Sequence, residues 1–206
     1  MSHGQMNSGP SQADADLPLV QAAQQGDLAA FEALVAKHQK RMLNITFRII
    51  DEYDDACEVV QDAFLSAFRN LPGFRRESKF STWLTSITVN LSKNRLKRLK
   101  VRRARVPVSL DAPVQTADGE MLPDPPSREP SVLDRMETRD VKDKVRDCIR
   151  ALEPEFREVI VLRDMQDLAY EEIGTALKLA IGTVKSRLFR ARESVKECLK
   201  KALGAL

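Results

Sequence analysis

The chain has 206 residues, a formal net charge of +3, eight glycines and three cysteines, enough for one medium domain or two small ones. Cys57, Cys148 and Cys198 are far apart, with neither zinc-ligand spacing nor the even count of a disulfide framework, so Cys57 and Cys148 read as small core residues in a reducing compartment. No apolar run approaches the roughly 20 residues of a membrane span and no basic-then-apolar leader opens the chain, which gives the expectation of a soluble cytoplasmic protein without membrane insertion.

Residues 1–15 are rich in Ser, Gly, Gln and Asn without periodicity and read as a disordered tail. Helical periodicity begins at Asp16 with Leu17, Val20 and Ala23, is interrupted at Gly26, and resumes after Asp27, a natural cap for a long amphipathic helix carrying Phe31, Leu34, Val35, Met42, Ile45 and Ile49. After the polar turn at residues 51–55, Ala56, Val59, Val60, Ala63, Phe64, Ala67 and Phe68 recur at helical spacing, leaving Asp55, Glu58, Gln61, Asp62 and Leu65 on the opposite side. A leucine inside an acidic strip fits either a contact surface or a solvated face.

The run Leu71–Phe74 ends that helix and a charged loop follows. Ser81 is placed to cap the next helix, whose buried side would carry Trp83, Leu84, Ile87 and Leu91. Phe80 and Trp83 either complete a core or stack on the bases of an opened strand. Eight of the thirteen residues from Lys93 to Arg105 are basic and none is acidic, a density that suits phosphate binding better than mutual repulsion on a bare face.

Residues 107–130 hold six of the ten prolines, five acids and one base, the composition of a flexible acidic linker. From Ser131 a second helical unit begins, with Leu133, Met136, Val145, Ile149 and Leu152 on one stripe and Pro154 in the first turn of the following helix. Finally Ile173, Leu177, Ile181, Val184, Leu188, Ala191, Val195 and Leu199 form one stripe with a stumble at Lys178–Ala180, the pattern of two helices joined by a tight turn. The second of them presents Thr183, Lys185, Ser186, Phe189 and Arg190 outward, side chains suited to phosphates, base edges and a thymine methyl. The pattern alone is also that of a basic helical hairpin. His3 lies in the tail, His38 has no evident partner set, and no phosphate loop, metal-spaced cluster or nucleophile motif occurs, so neither catalysis nor a metal or cofactor is expected.

Two stretches carry a family resemblance. YEEIGTALKLAIGTVKSRLFRAR (170–192) resembles the region 4 helix-turn-helix of the extracytoplasmic-function sigma factors of bacterial RNA polymerase, in their sigma-E-like branch, and DDACEVVQDAFLSAF (54–68) is similar to their region 2.2. Phe74, Ser78, Phe80, Thr82, Trp83, Leu84, Ile87 and Asn90 match regions 2.3 and 2.4, whereas Thr85 and Ser86 stand where Tyr-Arg is common, Glu58 where aspartate is usual, and Ala180 where Pro or a capping Ser is common. The resemblance implies an all-α protein of two small domains: a tail at 1–15, region 2 at 16–105, the linker at 106–130 and region 4 at 131–206. It implies promoter recognition and strand opening, with an anti-sigma factor as regulator and stress-response genes as targets.

By the same resemblance Asp55, Glu58, Gln61, Asp62 and Leu65 dock on the clamp coiled coil of the core polymerase's largest subunit, and region 4 meets the flap of the second-largest. Ser78, Lys79, Phe80, Trp83, Asn90, Lys93, Asn94, Lys97 and Arg98 take the −10 element, and Tyr170, Glu171, Thr183, Lys185, Ser186, Phe189 and Arg190 the −35 element. The extended linker reaches on the order of 80 Å, more than the on the order of 60 Å of a promoter spacer. The alternative is a free-standing dimeric helix-turn-helix regulator of duplex DNA, which would leave the second basic and aromatic segment unexplained.

Overall fold

The computed structural model describes residues 14–105 and 132–204; the linker at 106–130 and residues 1–13 of the expected tail lie outside them. Among the described residues all regular structure is helical: α1 (Leu17–Gln24), α2 (Leu28–Ile50), α3 (Tyr53–Asn70), α4 (Phe80–Arg105), α5 (Val132–Arg150), α6 (Pro154–Ile160), α7 (Tyr170–Leu177) and α8 (Ile181–Leu203).

Helices α1 to α4 form one bundle. Asp27 caps α2 as the sequence suggests, its Oδ1 accepting from the Ala30 N–H at 3.1 Å, and α2 ends where Asp51 turns left-handed at φ 65°. Helix α3 starts with Asp54 and Asp55, carboxylates that suit the positive end of the helix dipole. It buries Ala56, Val59, Val60, Ala63, Phe64 and Ala67, and the three alanines let α2 and α4 approach closely. Phe68 departs from the expected stripe: it is 44% exposed and lies edge-on to Phe31, with ring centroids 4.9 Å apart. A short 3-10 turn at Leu71–Gly73 follows, stapled to α1 by Gln24, whose amide donates to the Leu71 and Phe74 carbonyls at 3.0 Å.

The N-terminal boundary differs from the sequence reading. Asp14, assigned to a disordered tail, accepts a hydrogen bond from the Phe80 N–H at 2.8 Å and so satisfies the start of α4, the role expected of Ser81. Two residues on, buried Asp16 holds Lys37 at 2.6 Å and His38 at 2.8 Å. His38 therefore has a partner after all, a structural one that links α1 to α2.

The second unit is α5 to α8. Pro154 stands at the first position of α6, where its missing N–H costs nothing. Helix α6 then widens into a π-helical turn at Val161–Met165. Cys148 and Cys198 correct the sequence reading most: they form a disulfide between α5 and α8, with Cα atoms 5.7 Å apart and a sequence separation of 50. In the chain-entropy account a loop of that size withdraws about 4 kcal/mol of freedom from the unfolded chain. Cys57 is exposed rather than a core residue.

The turn between α7 and α8 is as tight as expected. Lys178 adopts the left-handed conformation at φ 55°, and the Leu179 N–H bonds back to the Gly174 carbonyl at 2.9 Å. Gly174 is required here, since a Cβ would sit 2.9 Å from the Leu179 oxygen. Ala180 occupies the cap position of α8 with no side-chain bond. Ile181, assigned to the buried stripe, is 41% exposed because the first helical position lies beyond the edge of the core.

The two units pack together, α4 against α7 and α2 against α6. Arg157 donates to the Ile49 carbonyl at 2.8 Å, Arg41 to the Gln166 carbonyl at 2.9 Å, and Arg150 pairs with Asp51 at 2.9 Å. Lys79 pairs with Glu172 at 3.0 Å and Lys93 with Glu158 at 3.1 Å. Glu158 is 1% exposed and its Oε1 finds no hydrogen-bond donor among the described residues. Burial pushes its pKa up against the opposing pull of Lys93. Burial also pushes Glu172 up, but the Ala169 N–H and Lys79 outweigh it and the net shift is downward.

Two outcomes follow from the turn and the buried carboxylate. In the α7–α8 turn, Ala180→Ser is expected to stabilise by about 1 kcal/mol and Gly174→Ala to destabilise by about 1–3 kcal/mol, read as opposite shifts of the urea midpoint. For Glu158 the folded state binds the extra proton, so its contribution to stability falls as pH rises from the ordinary glutamate range through its raised pKa. Glu158→Gln should remove that decline and keep the urea midpoint at pH 8 at or above the parent's; a variant with an unchanged pH profile would show that the carboxylate is not the titrating group.

Candidate nucleic-acid interface

Helix α8 owes its position to three buried residues, Val184, Leu188 and Ala191, which fix its roll on α6 and α7. The remaining positions of its first three turns are set by that roll. Lys185, Ser186, Phe189 and Arg190 are exposed and Thr183 is half-buried, as the periodicity implies. Phe189 is 68% exposed, more than any other large apolar side chain of the described residues, and it sits between cations.

Tyr170 opens α7 beside this face, with the Arg163 guanidinium 5.1 Å and the Lys185 ammonium 5.7 Å from its ring centroid. A ring flanked by two cations restrains the Lys185 side chain at low entropic cost and leaves its charge directed outward. Glu171 is exposed one residue on. Behind the face, Arg192 is tied to Asp164 through two bonds of 3.0 and 2.5 Å, so the π-helical turn buttresses α8.

The second basic surface lies on α4. Its first half is surrounded by protein, with Phe80, Leu84 and Val89 fully buried. Thr85, Thr88 and Ser92 turn their hydroxyls back onto the Ser81, Leu84 and Thr88 carbonyls at 2.7, 2.9 and 2.8 Å. Phe80 belongs to the core in this arrangement and offers no face to a base. Trp83 is half-buried, stacked on Phe74 at 4.6 Å with an interplanar angle of 25°, so one of its faces is already occupied.

Ser78 and Lys79 are half-buried in the preceding loop, while Asn90, Lys93, Asn94, Lys97 and Arg98 are exposed along the cationic half of α4. The structure thus brings Asn90, Lys93, Asn94, Lys97 and Arg98 together on α4, leaves Ser78 and Lys79 in the loop before it, and buries Phe80 in the core. Two of its cations are engaged by the second unit, Lys79 by Glu172 and Lys93 by Glu158. Glu158 is a residue the sequence could not single out, because only the fold opposes it to Lys93.

The acidic strip is on α3. Glu58, Gln61, Asp62 and Leu65 are exposed, with Leu65 at 46%. Asp55 is different: it and Glu58 are both bonded to Arg95 of α4, Glu58 at 2.8 Å and Asp55 through the guanidinium Nε at 2.9 Å. Arg95 went unassigned on the sequence because it lay inside a uniformly basic run. It couples the acidic helix to the basic one.

With this geometry in place, comparison with known proteins is decisive about the family. Residues 34–102 match the model for Sigma-70 region 2, and residues 142–195 match that for Sigma-70, region 4. The chain is 35% identical to the RNA polymerase sigma-H factor of Pseudomonas aeruginosa over 91% of its own length and 95% of the relative's. It is 36% identical to the ECF RNA polymerase sigma-E factor of Escherichia coli, covering 87% and 92% of the two chains. Among solved structures, CnrH in complex with the cytosolic domain of CnrY aligns with a TM-score of 0.66 at 26% identity, over 91% of this chain and 99% of that one. The sigma factor RpoE in complex with the anti-sigma factor NepR from Bartonella quintana shares the fold, with a TM-score of 0.57 at 24% identity over 82% and 96% of the two chains. An acidic helix, a cationic helix and a helix-turn-helix, matched in this order along nearly the whole length of these relatives, place the chain in the extracytoplasmic-function family of RNA polymerase sigma factors, which direct the polymerase to promoters.

Proposed function

We propose that α8 reads the −35 element with Thr183, Lys185, Ser186, Phe189 and Arg190, with Tyr170 and Glu171 at its flank. The observation that carries this is the division of α8: Val184, Leu188 and Ala191 are sealed into the core while the cationic, hydroxyl and aromatic side chains between them face outward. Arginine and lysine suit phosphates and guanine edges, and an exposed phenylalanine beside them suits a thymine methyl.

In this reading α4 holds the −10 element through Ser78, Lys79, Asn90, Lys93, Asn94, Lys97 and Arg98, with the free face of Trp83 as the one aromatic platform. The acidic strip of α3, with Leu65 at its centre, docks on the clamp coiled coil of the largest subunit, and region 4 meets the flap of the second-largest. Binding energy from both sites offsets the cost of bending and melting the duplex. Region 4 pairs with Lys79 and Lys93 through Glu172 and Glu158 in the arrangement described, so promoter engagement requires the two units to part. CnrH and RpoE are both held by partner chains in their structures, and we extend that to this chain as an anti-sigma partner that favours the packed arrangement. The working compartment is the cytoplasm, where the polymerase is, and stress-response genes are the targets.

The test is run-off transcription with purified protein, bacterial core polymerase and randomised promoter-like templates. Initiation that depends on this chain is expected; tight polymerase-independent binding to a palindromic duplex without initiation would instead establish a free-standing regulator. Lys185→Ala with Arg190→Ala should cost about 1–3 kcal/mol in promoter binding and leave core binding unchanged, measured by filter retention and by fluorescence anisotropy. Asp62→Lys with Leu65→Ala should do the reverse, lowering core affinity by about tenfold. Loss of both activities by either variant would contradict the separation of surfaces.

A further inference from the structure

The Cys148–Cys198 disulfide joins the buried end of α5 to the half-buried last turns of α8. Along α8 the fully buried positions end at Ala191; beyond it Glu193, Ser194, Lys196 and Glu197 are exposed and Val195, Cys198 and Leu199 are half-buried. Along α5 residues 140–147 are exposed or half-buried, and among residues 140–150 Cys148 and Ile149 are the ones sealed. The bond therefore ties the end of α5 to a stretch of α8 beyond its sealed positions, and it adds a restraint to the packing there.

We infer that Cys148 and Cys198 are a reversible thiol–disulfide modification site that sets how firmly α5 and the tail of α8 are held. The chemistry balances without a metal. A dithiol reductant attacks the half-buried Cys198 Sγ, the S–S bond breaks, and Cys148 Sγ leaves as a thiolate that takes up a proton; the reductant's second thiol then releases Cys198 and leaves the reductant as a disulfide. In the other direction the two thiols give two electrons and two protons to a low-molecular-weight disulfide such as oxidised glutathione, which yields two thiols.

The bond reaches further than region 4. Arg150, two residues from Cys148, pairs with Asp51 at the end of α2 at 2.9 Å, so the oxidised pair links α8 through α5 to the first unit. The reading face of α8 is anchored separately by Val184, Leu188 and Ala191 and stays folded when the bond opens. Exposed Cys57 on α3 takes no part.

The test uses the full chain in glutathione buffers of stepped oxidation state, with thiols alkylated and counted by mass spectrometry at each step and backbone hydrogen exchange recorded at the two extremes. Alkylation of Cys148 and Cys198 is expected to fall together in one two-electron transition, and Cys57→Ser should leave it in place. Reduction should speed exchange about tenfold or more in residues 140–150 and 195–203 while residues 181–191 change by less than about twofold. Cys148→Ser with Cys198→Ser should exchange like the reduced parent in either buffer. Cysteines that stay alkylatable at every ratio, or exchange that is equal in both states, would overturn the inference. Neither readout involves polymerase or DNA, so the result stands apart from the promoter assignments.

Discussion

Helix α4 has to satisfy two demands along one continuous axis, and the molecule is arranged around that constraint. Its first half is enclosed by α2, α3 and α7, which requires side chains small enough for three neighbours to approach. Its second half carries a charge density that no core could accept. The buried Thr85, Thr88 and Ser92 meet the first demand. A hydroxyl that bonds back to the preceding turn of its own helix brings a polar group into the interior already satisfied, and it occupies less room than a tyrosine or an arginine. Ser86 bonds back in the same way, its hydroxyl donating to the Trp83 carbonyl at 2.7 Å.

Electrostatic pairing then decides what α4 shows. Arg95 binds it to the acidic helix on one side, and Lys79 and Lys93 bind it to the second unit on the other. Glu158 is the weak member of this set. It is buried with only one oxygen paired, and burial pulls it toward its neutral form against Lys93. A half-paired carboxylate in an interface contributes little to holding the interface closed, so the closed arrangement relies more on backbone-directed arginines. Arg157 and Arg41 donate to carbonyls, partners that carry no charge to titrate.

Much of this was legible in the sequence, for a definable reason. Apolar periodicity reports which face of a helix is buried, so the division of α3 and of the first turns of α8 could be read from spacing. Asp27 and Pro154 were readable because caps act within a few residues of themselves. What could not be read depends on which helices lie side by side. Cys198 meets Cys148 only because α8 runs beside α5; Glu158 meets Lys93 only because two units joined by a long linker pack in one of many permitted ways. Phe80 was ambiguous because aromatic rings suit a core and a base equally, and only the enclosure of α4 decides between them. Ile181 followed the periodicity but fell outside the core, since a pattern gives direction around a helix and not the point along it where the neighbouring helix stops.

Asp14 stands in a stretch whose composition resembles a tail, and Asp16 follows at its edge. Asp14 meets the start of α4, and Asp16 meets Lys37 and His38 of α2. Two carboxylates one residue apart thus face different helices, and their spacing fixes which helix each one reaches. Inserting or deleting one residue between them would rotate one carboxylate away from its partner and release either the start of α4 or the Lys37–His38 turn of α2.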